Sequence, residues 1–248
     1  MIPRDDLLAF ASEPEILVAL DFDGTLAEHV DHAEDARALP ANSAALHELL
    51  AAPATTVAII SGRPLEFLQR TAQLPPGLLL VGSHGAEMSS GLELSELEVR
   101  TVAAIIGALE GLASGIEGAW VEHKPAGAAL HTRMSPPEQA PGAQRAASEL
   151  AASIGGLHER DGKNIVEFSV RDDTKGHAVV RLREQLRPNA VLYAGDDVTD
   201  EDAFAQLHSF DLGIKIGPGA TAAAHRLDRP ADMAPVLAEL ARLRVHVP

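Results

Sequence analysis

Ile16-Leu17-Val18-Ala19-Leu20-Asp21-Phe22-Asp23-Gly24-Thr25-Leu26 is the stretch on which the reading of this chain turns. Five apolar residues without a polar break read as a buried strand. The strand runs straight into two carboxylates at i and i+2. Side chains two apart on extended backbone point the same way, so Asp21 and Asp23 converge at its carboxyl end. Gly24 lets the chain turn sharply with no side chain in the way of a ligand. An acidic turn after a strand carries no function by itself, so the other strand ends decide what this one means.

Outward from that stretch, short apolar runs alternate with helix-like segments. Strands are expected over 56–60, 78–81, 190–194 and 212–216, and helices over 44–52, 65–72 and around 201–207. That alternation implies an α/β core with a parallel sheet covered on both faces and a site at the carboxyl ends of its strands. The middle of the chain differs. A helix over 97–112 leads to strands over 119–124 and 128–133, turned at Pro125-Ala126-Gly127. A helix over 138–153 then precedes strands over 157–160 and 163–170, turned at Asp161-Gly162. This is an α+β unit of its own. The expected division is a core of 1–97 and 172–248 with an inserted unit of 98–171.

Composition narrows the function classes. The 248 residues carry a net charge of −16, with 46% hydrophobic and 23% charged residues, as in ordinary globular proteins. An acidic chain is a poor partner for nucleic acid or for anionic membranes. No apolar run approaches the roughly 18 residues of a membrane helix. The start, Met1-Ile2-Pro3-Arg4-Asp5-Asp6, lacks the basic-then-apolar pattern of a signal peptide, so a cytoplasmic location is expected. No cysteine is present, which removes disulfides, thiolate metal sites and cysteine catalysis. Only four of the 20 basic residues are lysines: Lys124, Lys163, Lys175 and Lys215.

The remaining strand ends supply chemistry. The strand over 56–60 ends in Ser61-Gly62-Arg63: a hydroxyl, an open backbone amide and a cation, all suited to an anion. Arg63 is equally readable as a surface salt bridge. The strand over 190–194 ends in Gly195-Asp196-Asp197-Val198-Thr199-Asp200, with three more carboxylates. Two acidic clusters at neighbouring strand ends repel unless a divalent cation lies between them, and hard oxygen ligands favour Mg²⁺. An anion site beside Mg²⁺ indicates phosphoryl chemistry. In the inserted unit, Glu122 and Lys124 project from one face of their strand, as do His131 and Arg133 from theirs. Across the turn they form one polar patch, opposite Val121, His123, Leu130 and Thr132.

Asp21-Phe22-Asp23-Gly24-Thr25, Ser61-Gly62-Arg63, Lys175-Gly176 and Gly195-Asp196-Asp197-Val198-Thr199-Asp200 resemble, in order, the four motifs of the haloacid dehalogenase superfamily. The inserted α+β unit is similar to the C2-type cap of one branch, and the resemblance implies a Rossmannoid core. Gly82-Ser83-His84-Gly85-Ala86-Glu87, Val121-Glu122-His123-Lys124, Ala129-Leu130-His131-Thr132-Arg133, Val166-Glu167 and Lys215-Ile216-Gly217 extend the likeness to trehalose-6-phosphate phosphatases over nearly the whole chain.

That resemblance implies a nucleophile at Asp21, a general acid and base at Asp23, and catalytic roles for Ser61 and Lys175. It implies Mg²⁺ on Asp21, on the backbone carbonyl of Asp23 and on Asp196. Asp197 and Asp200 act through water or cap the following helix. Substrate contacts fall to Gly24, Thr25, Gly62, Arg63, His84, Glu122, Lys124, His131, Arg133, Lys163 and Glu167. The implied reaction is hydrolysis of trehalose 6-phosphate, with sucrose phosphate, mannosyl-phosphoglycerate or small sugar phosphates as alternative substrates. A monomer is expected, with hinges near 96–99 and 170–173.

Overall fold

The computed structural model describes residues 2–88, 94–162 and 164–246. The chain divides into two compact units: Met1–Ser89 with Asp173–Pro248, and Ser90–Asp172.

The first unit opens with α1 (Arg4–Ala11), β1 (Ile16–Leu20), α2 (Pro40–Leu50), β2 (Thr55–Ile60), α3 (Leu65–Arg70), β3 (Leu79–Gly82) and β4 (Glu87–Met88). The second contains α4 (Glu96–Ala113), β5 (Trp120–Lys124), β6 (Gly127–His131), α5 (Ala140–Ile154), β7 (His158–Gly162) and β8 (Ile165–Ser169). The chain then returns to the first unit with α6 (Lys175–Leu186), β9 (Ala190–Gly195), α7 (Glu201–Phe204), β10 (Leu212–Ile216), β11 (His225–Leu227) and α8 (Met233–His246).

The seven-stranded sheet runs β11-β10-β9-β1-β2-β3-β4 and is parallel except for β4 against β3. Every side chain of β1 is buried. Ile16, Val18 and Leu20 pack with Leu46 and Leu49 of α2 and Leu237 and Leu240 of α8. Leu17 and Ala19 pack with Val179 and Leu182 of α6 and Phe204 of α7. Two covered faces explain why β1 reads as a continuous apolar run and not an alternating one. Burying each of its Leu, Ile and Val side chains stabilises the fold by roughly 1.5–3 kcal/mol. β1 lies between β9 and β2, so Asp21 and Asp23 stand between the Asp196 loop and the Ser61 loop.

The second unit is a four-stranded antiparallel sheet, β5-β6-β8-β7. Ala128, Leu130, Val166 and Phe168 on one face pack with Ile105 and Leu109 of α4 and with Ala143 and Ala147 of α5. Its hairpins turn at other residues than expected. Lys124 pairs with Gly127, so Gly127 opens β6 and does not belong to the turn. Asp161 and Gly162 end β7, paired with Val166 and Ile165, and Asn164 takes the left-handed conformation (φ 61°). Asn tolerates that conformation better than most residues, which moves the turn beyond the Asp-Gly pair. A boundary at 98 would cut α4, whose Ser95 and Glu98 form a capping box. Among the described residues no helix is long and apolar enough to cross a membrane.

One residue of α8 ties the loops that feed β1 and β2. Arg244 is 3% exposed. Its guanidinium donates to the carbonyls of Ala11, Glu13, Pro14, Pro53 and Ala54 at 2.6–3.0 Å, and to Thr55 Oγ1 at 3.2 Å. Removing it takes six hydrogen bonds from these loops, the one to the buried Ala11 carbonyl among them. Arg244→Ala is therefore expected to destabilise the fold by about 3 kcal/mol or more, read from urea unfolding, with Arg244→Lys losing less.

Candidate active site

The site begins where β1 stops. The Asp21 amide donates to the Ala194 carbonyl at 2.9 Å, holding the chain against β9 for one residue past the strand. Phe22 is buried, and Asp23 reaches toward β2. There Arg63 grips it with two parallel bonds, Nε to Oδ2 at 2.7 Å and Nη2 to Oδ1 at 2.6 Å. The Arg63 guanidinium also lies 4.7 Å over the Phe67 ring. Arg63 is thus ion-paired, as in the second of its sequence alternatives, but as a half-buried clamp on Asp23 and not at the surface. Gly24 turns with φ +74°, and a Cβ on it would sit 2.1 Å from Asp196 Oδ2. The Thr25 hydroxyl is buried with no hydrogen-bond partner.

β2 ends in Ser61, 1% exposed, whose Oγ accepts from the Arg63 amide at 3.1 Å. The loop after β3 docks on this turn. Ser83 N donates to Arg63 O and His84 N to Ser61 O, each at 2.9 Å. Ser83 and His84 both take positive φ, 48° and 57°, a conformation that costs on the order of 1 kcal/mol or more per residue. Glu87 holds the loop by accepting from Ser83 Oγ and from Leu65 N. The result is that His84 covers Gly62: a Cβ there would lie 2.6 Å from the His84 Nε2.

α6 delivers Lys175. Thr174 caps the helix by accepting from His177 N at 3.2 Å. Gly176 lets it pack close to α7, since a Cβ would meet Asp202 O at 2.5 Å. Lys175 is 3% exposed and donates to Asp21 Oδ1 at 2.7 Å and to Asp200 Oδ1 at 2.8 Å. Asp200 is fully buried. Its Oδ1 also accepts from Tyr193 Oη at 2.6 Å, and its Oδ2 accepts from the amides of Asp196 and Asp197 at 2.9 Å each. Both oxygens are therefore engaged, and Asp200 acts as the hub that shapes the loop. Asp197 is exposed, accepts from Val198 N at 2.7 Å and caps the short turn that follows, the second of its two expected roles. Lys215, 4% exposed, braces the same loop through the carbonyls of Asp196 and Asp197.

Electrostatics follow from burial. Desolvation pushes the Asp21 carboxyl well above the usual carboxylate range, against the pull of Lys175. Burial also raises Asp196, opposed by His29, whose Nε2 lies 2.8 Å from Oδ2. Burial works against the charge on Asp200 too, but the Lys175 ammonium and its hydrogen bonds hold that carboxyl below its ordinary value. Lys175 is itself buried, yet its two carboxylate partners raise it, so it stays cationic. Single oxygens of Asp21, Asp196 and Asp200 lie within 4.8 Å of one another. A divalent cation fits this donor set: it is all oxygen, two of its carboxyls are raised by burial, and side-chain-free Gly24 opens the space beside Asp196.

The second unit carries its own polar face. Glu122 and Lys124 of β5, His131 of β6 and Glu167 of β8 share the side of the sheet opposite α4 and α5. His131 Nε2 lies 2.9 Å from Glu122 Oε2, and Lys124 is ion-paired with Glu167. His123 points to the helix side, where it meets Glu110 of α4 at 2.8 Å. Arg133 is exposed beyond the end of β6. Lys163 lies outside the described residues.

Sequence reasoning had missed Tyr193, His29, the brace made by Lys215 and the clamp of Arg63 on Asp23. Tyr193 alone carried a signal, as the chain's one tyrosine, set in an aliphatic strand just before the acidic loop.

Residues 19–229 match the trehalose-phosphatase family model. The trehalose-phosphate phosphatase of Mycobacterium marinum is 33% identical over 92% of this chain and 62% of that protein. The bifunctional trehalose-6-phosphate synthase/phosphatase of Thermoproteus tenax is 33% identical over 88% of this chain and 31% of that protein. The chain thus spans less than two thirds of the length of these relatives. Among solved structures, Aspergillus fumigatus trehalose-6-phosphate phosphatase superposes with a TM-score of 0.71 at 25% identity, covering 97% of this chain and 98% of that one. The chain therefore belongs to the trehalose-phosphatase family of the haloacid dehalogenase superfamily.

Proposed function

We propose that this chain hydrolyses trehalose 6-phosphate to trehalose and phosphate, and that it does so with Mg²⁺. The observation that carries the reading is the buried group of Asp21, Lys175 and Asp200 beside Asp196, at the ends of adjoining parallel strands. Asp21 attacks phosphorus in line, a bond forms from its carboxylate oxygen, and the bond from phosphorus to the sugar oxygen breaks. Asp23, freed from the Arg63 clamp and protonated when substrate is bound, gives its proton to the departing sugar oxygen. It then takes a proton from the water that attacks the aspartyl-phosphate, and the Asp21–phosphorus bond breaks to release phosphate.

Lys175 keeps Asp21 oriented and balances its charge, while Ser61, the Gly62 amide and the orphaned Thr25 hydroxyl are suited to phosphate oxygens. Asp21, Asp196 and the Asp23 carbonyl would hold Mg²⁺, which supplies charge neutralisation between these carboxylates and a phosphate dianion. Glu122, Lys124, His131 and Glu167 take the sugar hydroxyls, since their mixture of donors and acceptors matches hydroxyl recognition.

Asp21→Asn is expected to abolish turnover with little change in thermal stability. Asp23→Asn should lose about 10²-fold or more on the sugar phosphate. Its loss should be much smaller on an aryl phosphate, whose leaving group needs no proton. Equal losses on both substrates count against Asp23 as the acid.

The metal assignment is checked by binding. Gly24→Ala puts a methyl group against Asp196 and should weaken Mg²⁺ affinity by more than about tenfold in calorimetry. Unchanged affinity, or full activity of the unmodified protein in excess chelator, contradicts it.

A panel of sugar phosphates tests the substrate. Glu122→Ala and Lys124→Ala should each cut kcat/KM for trehalose 6-phosphate by about 10²-fold and leave an aryl phosphate within about threefold. Preference for sucrose phosphate or a monosaccharide phosphate overturns the trehalose 6-phosphate reading.

A further inference from the structure

The chain's one tryptophan, Trp120, opens β5 and stands on the same side of the sheet as Glu122 and Lys124. That is the side opposite the α4 and α5 packing. Its cross-strand partner is His131. The two rings stack with centroids 3.9 Å apart and planes 3° from parallel. His131 is held in turn by Glu122 at 2.9 Å, so the carboxylate, the imidazole and the indole form one oriented row. Trp120 nevertheless remains 48% exposed. The helix-covered face of the same sheet buries Leu130, Val166 and Phe168 completely, so an indole placed there would have gained far more from burial.

A large aromatic surface left in water beside an imidazole and a carboxylate, on the sheet face that also carries Lys124 and Glu167, has a chemical counterpart. A pyranose ring carries its hydroxyls around the rim, where acceptors and donors meet them. Its axial C–H bonds make flat apolar faces, which an aromatic ring covers. Polar groups that set orientation next to an aromatic wall are the usual composition of such a site.

We propose that Trp120 is the stacking platform for a pyranose ring of the substrate, and that the Glu122–His131 pair sets the plane of its indole. The inference rests on the sugar-phosphate reading above and adds to it a residue that determines specificity for a ring over other phosphate esters.

Because Trp120 is the only tryptophan, its intrinsic fluorescence reports on this site alone. The unmodified protein is titrated with trehalose and, in parallel, with the acyclic polyol sorbitol. A saturable change in emission with trehalose and none with sorbitol is expected. Trp120→Ala should raise KM for trehalose 6-phosphate about tenfold or more, the scale of one apolar contact in a binding pocket. It should leave kcat/KM for an aryl phosphate within about twofold, and Trp120→Phe should recover most of the loss. Unchanged emission at saturating trehalose, or an unchanged KM in Trp120→Ala, overturns the proposal. If another sugar phosphate proves the better substrate, the functional reading falls separately. The platform is then decided by the same variants on that substrate, where a raised KM supports it and an unchanged KM overturns it.

Discussion

The carboxyl end of the parallel sheet depends on one buried cation. Asp21 and Asp200 lie beyond the ends of strands that are neighbours in the sheet, and both are buried. Two carboxylates this close repel by on the order of 4 kcal/mol at about 4 Å in a protein-like dielectric. Left alone, one of them would hold its proton. Lys175 bonds to both and sits between them at the first turn of α6. Burial works against all three charges, so the group persists because each member is hydrogen-bonded as well as paired.

What Lys175 does for charge, Asp200 does for shape. Its four hydrogen bonds draw in the Tyr193 hydroxyl on one side and two loop amides on the other. Lys215 pulls on the carbonyls of the same loop. Asp196 is thereby set against Gly24, where any side chain would collide with it. On the other flank of β1, Arg63 fixes Asp23, and the strained pair Ser83 and His84 closes over Gly62. Asp23 is thus held by the loop after β2, and Asp21 by Lys175 of α6, which is itself bonded to the loop after β9 through Asp200. The parallel sheet order brings those loops together although they lie 40 and 175 residues from Asp21 along the chain.

Much of this was legible before any coordinates. The apolar run ending in Asp21 and Asp23 marked the central strand, because full burial on two faces erases the alternation that a half-exposed strand keeps. The acidic loop after β9 and the Ser61 turn marked its neighbours. The inserted unit was legible from its hairpins, although the turn chemistry misled. Asp161-Gly162 resembles a turn, yet the pairing of Gly162 with Ile165 moves the bend past it. Partner choice was not legible. Arg63 and Asp23 are 40 residues apart, and His29 and Asp196 are 167 apart. Nothing local distinguishes an arginine that clamps a carboxylate from one that faces water. The ambiguity between capping and metal binding at Asp197 and Asp200 has the same origin, since both roles ask for an acid just before a helical turn. Burial separates them: Asp200 bonds Lys175, Tyr193 and two loop amides, whereas Asp197 is exposed.

On the proposed reaction, this buried arrangement makes Asp21 the nucleophile. The direct measurement is acid quench during turnover, followed by borohydride reduction and peptide mapping by mass spectrometry. An acyl phosphate is reduced under these conditions, whereas a free carboxylate is not, so a phosphorylated aspartate is converted to homoserine. Homoserine is expected at position 21 only, appearing with substrate and absent without it. Steady turnover with no converted residue, or conversion at Asp23 or Asp196 instead, would contradict it.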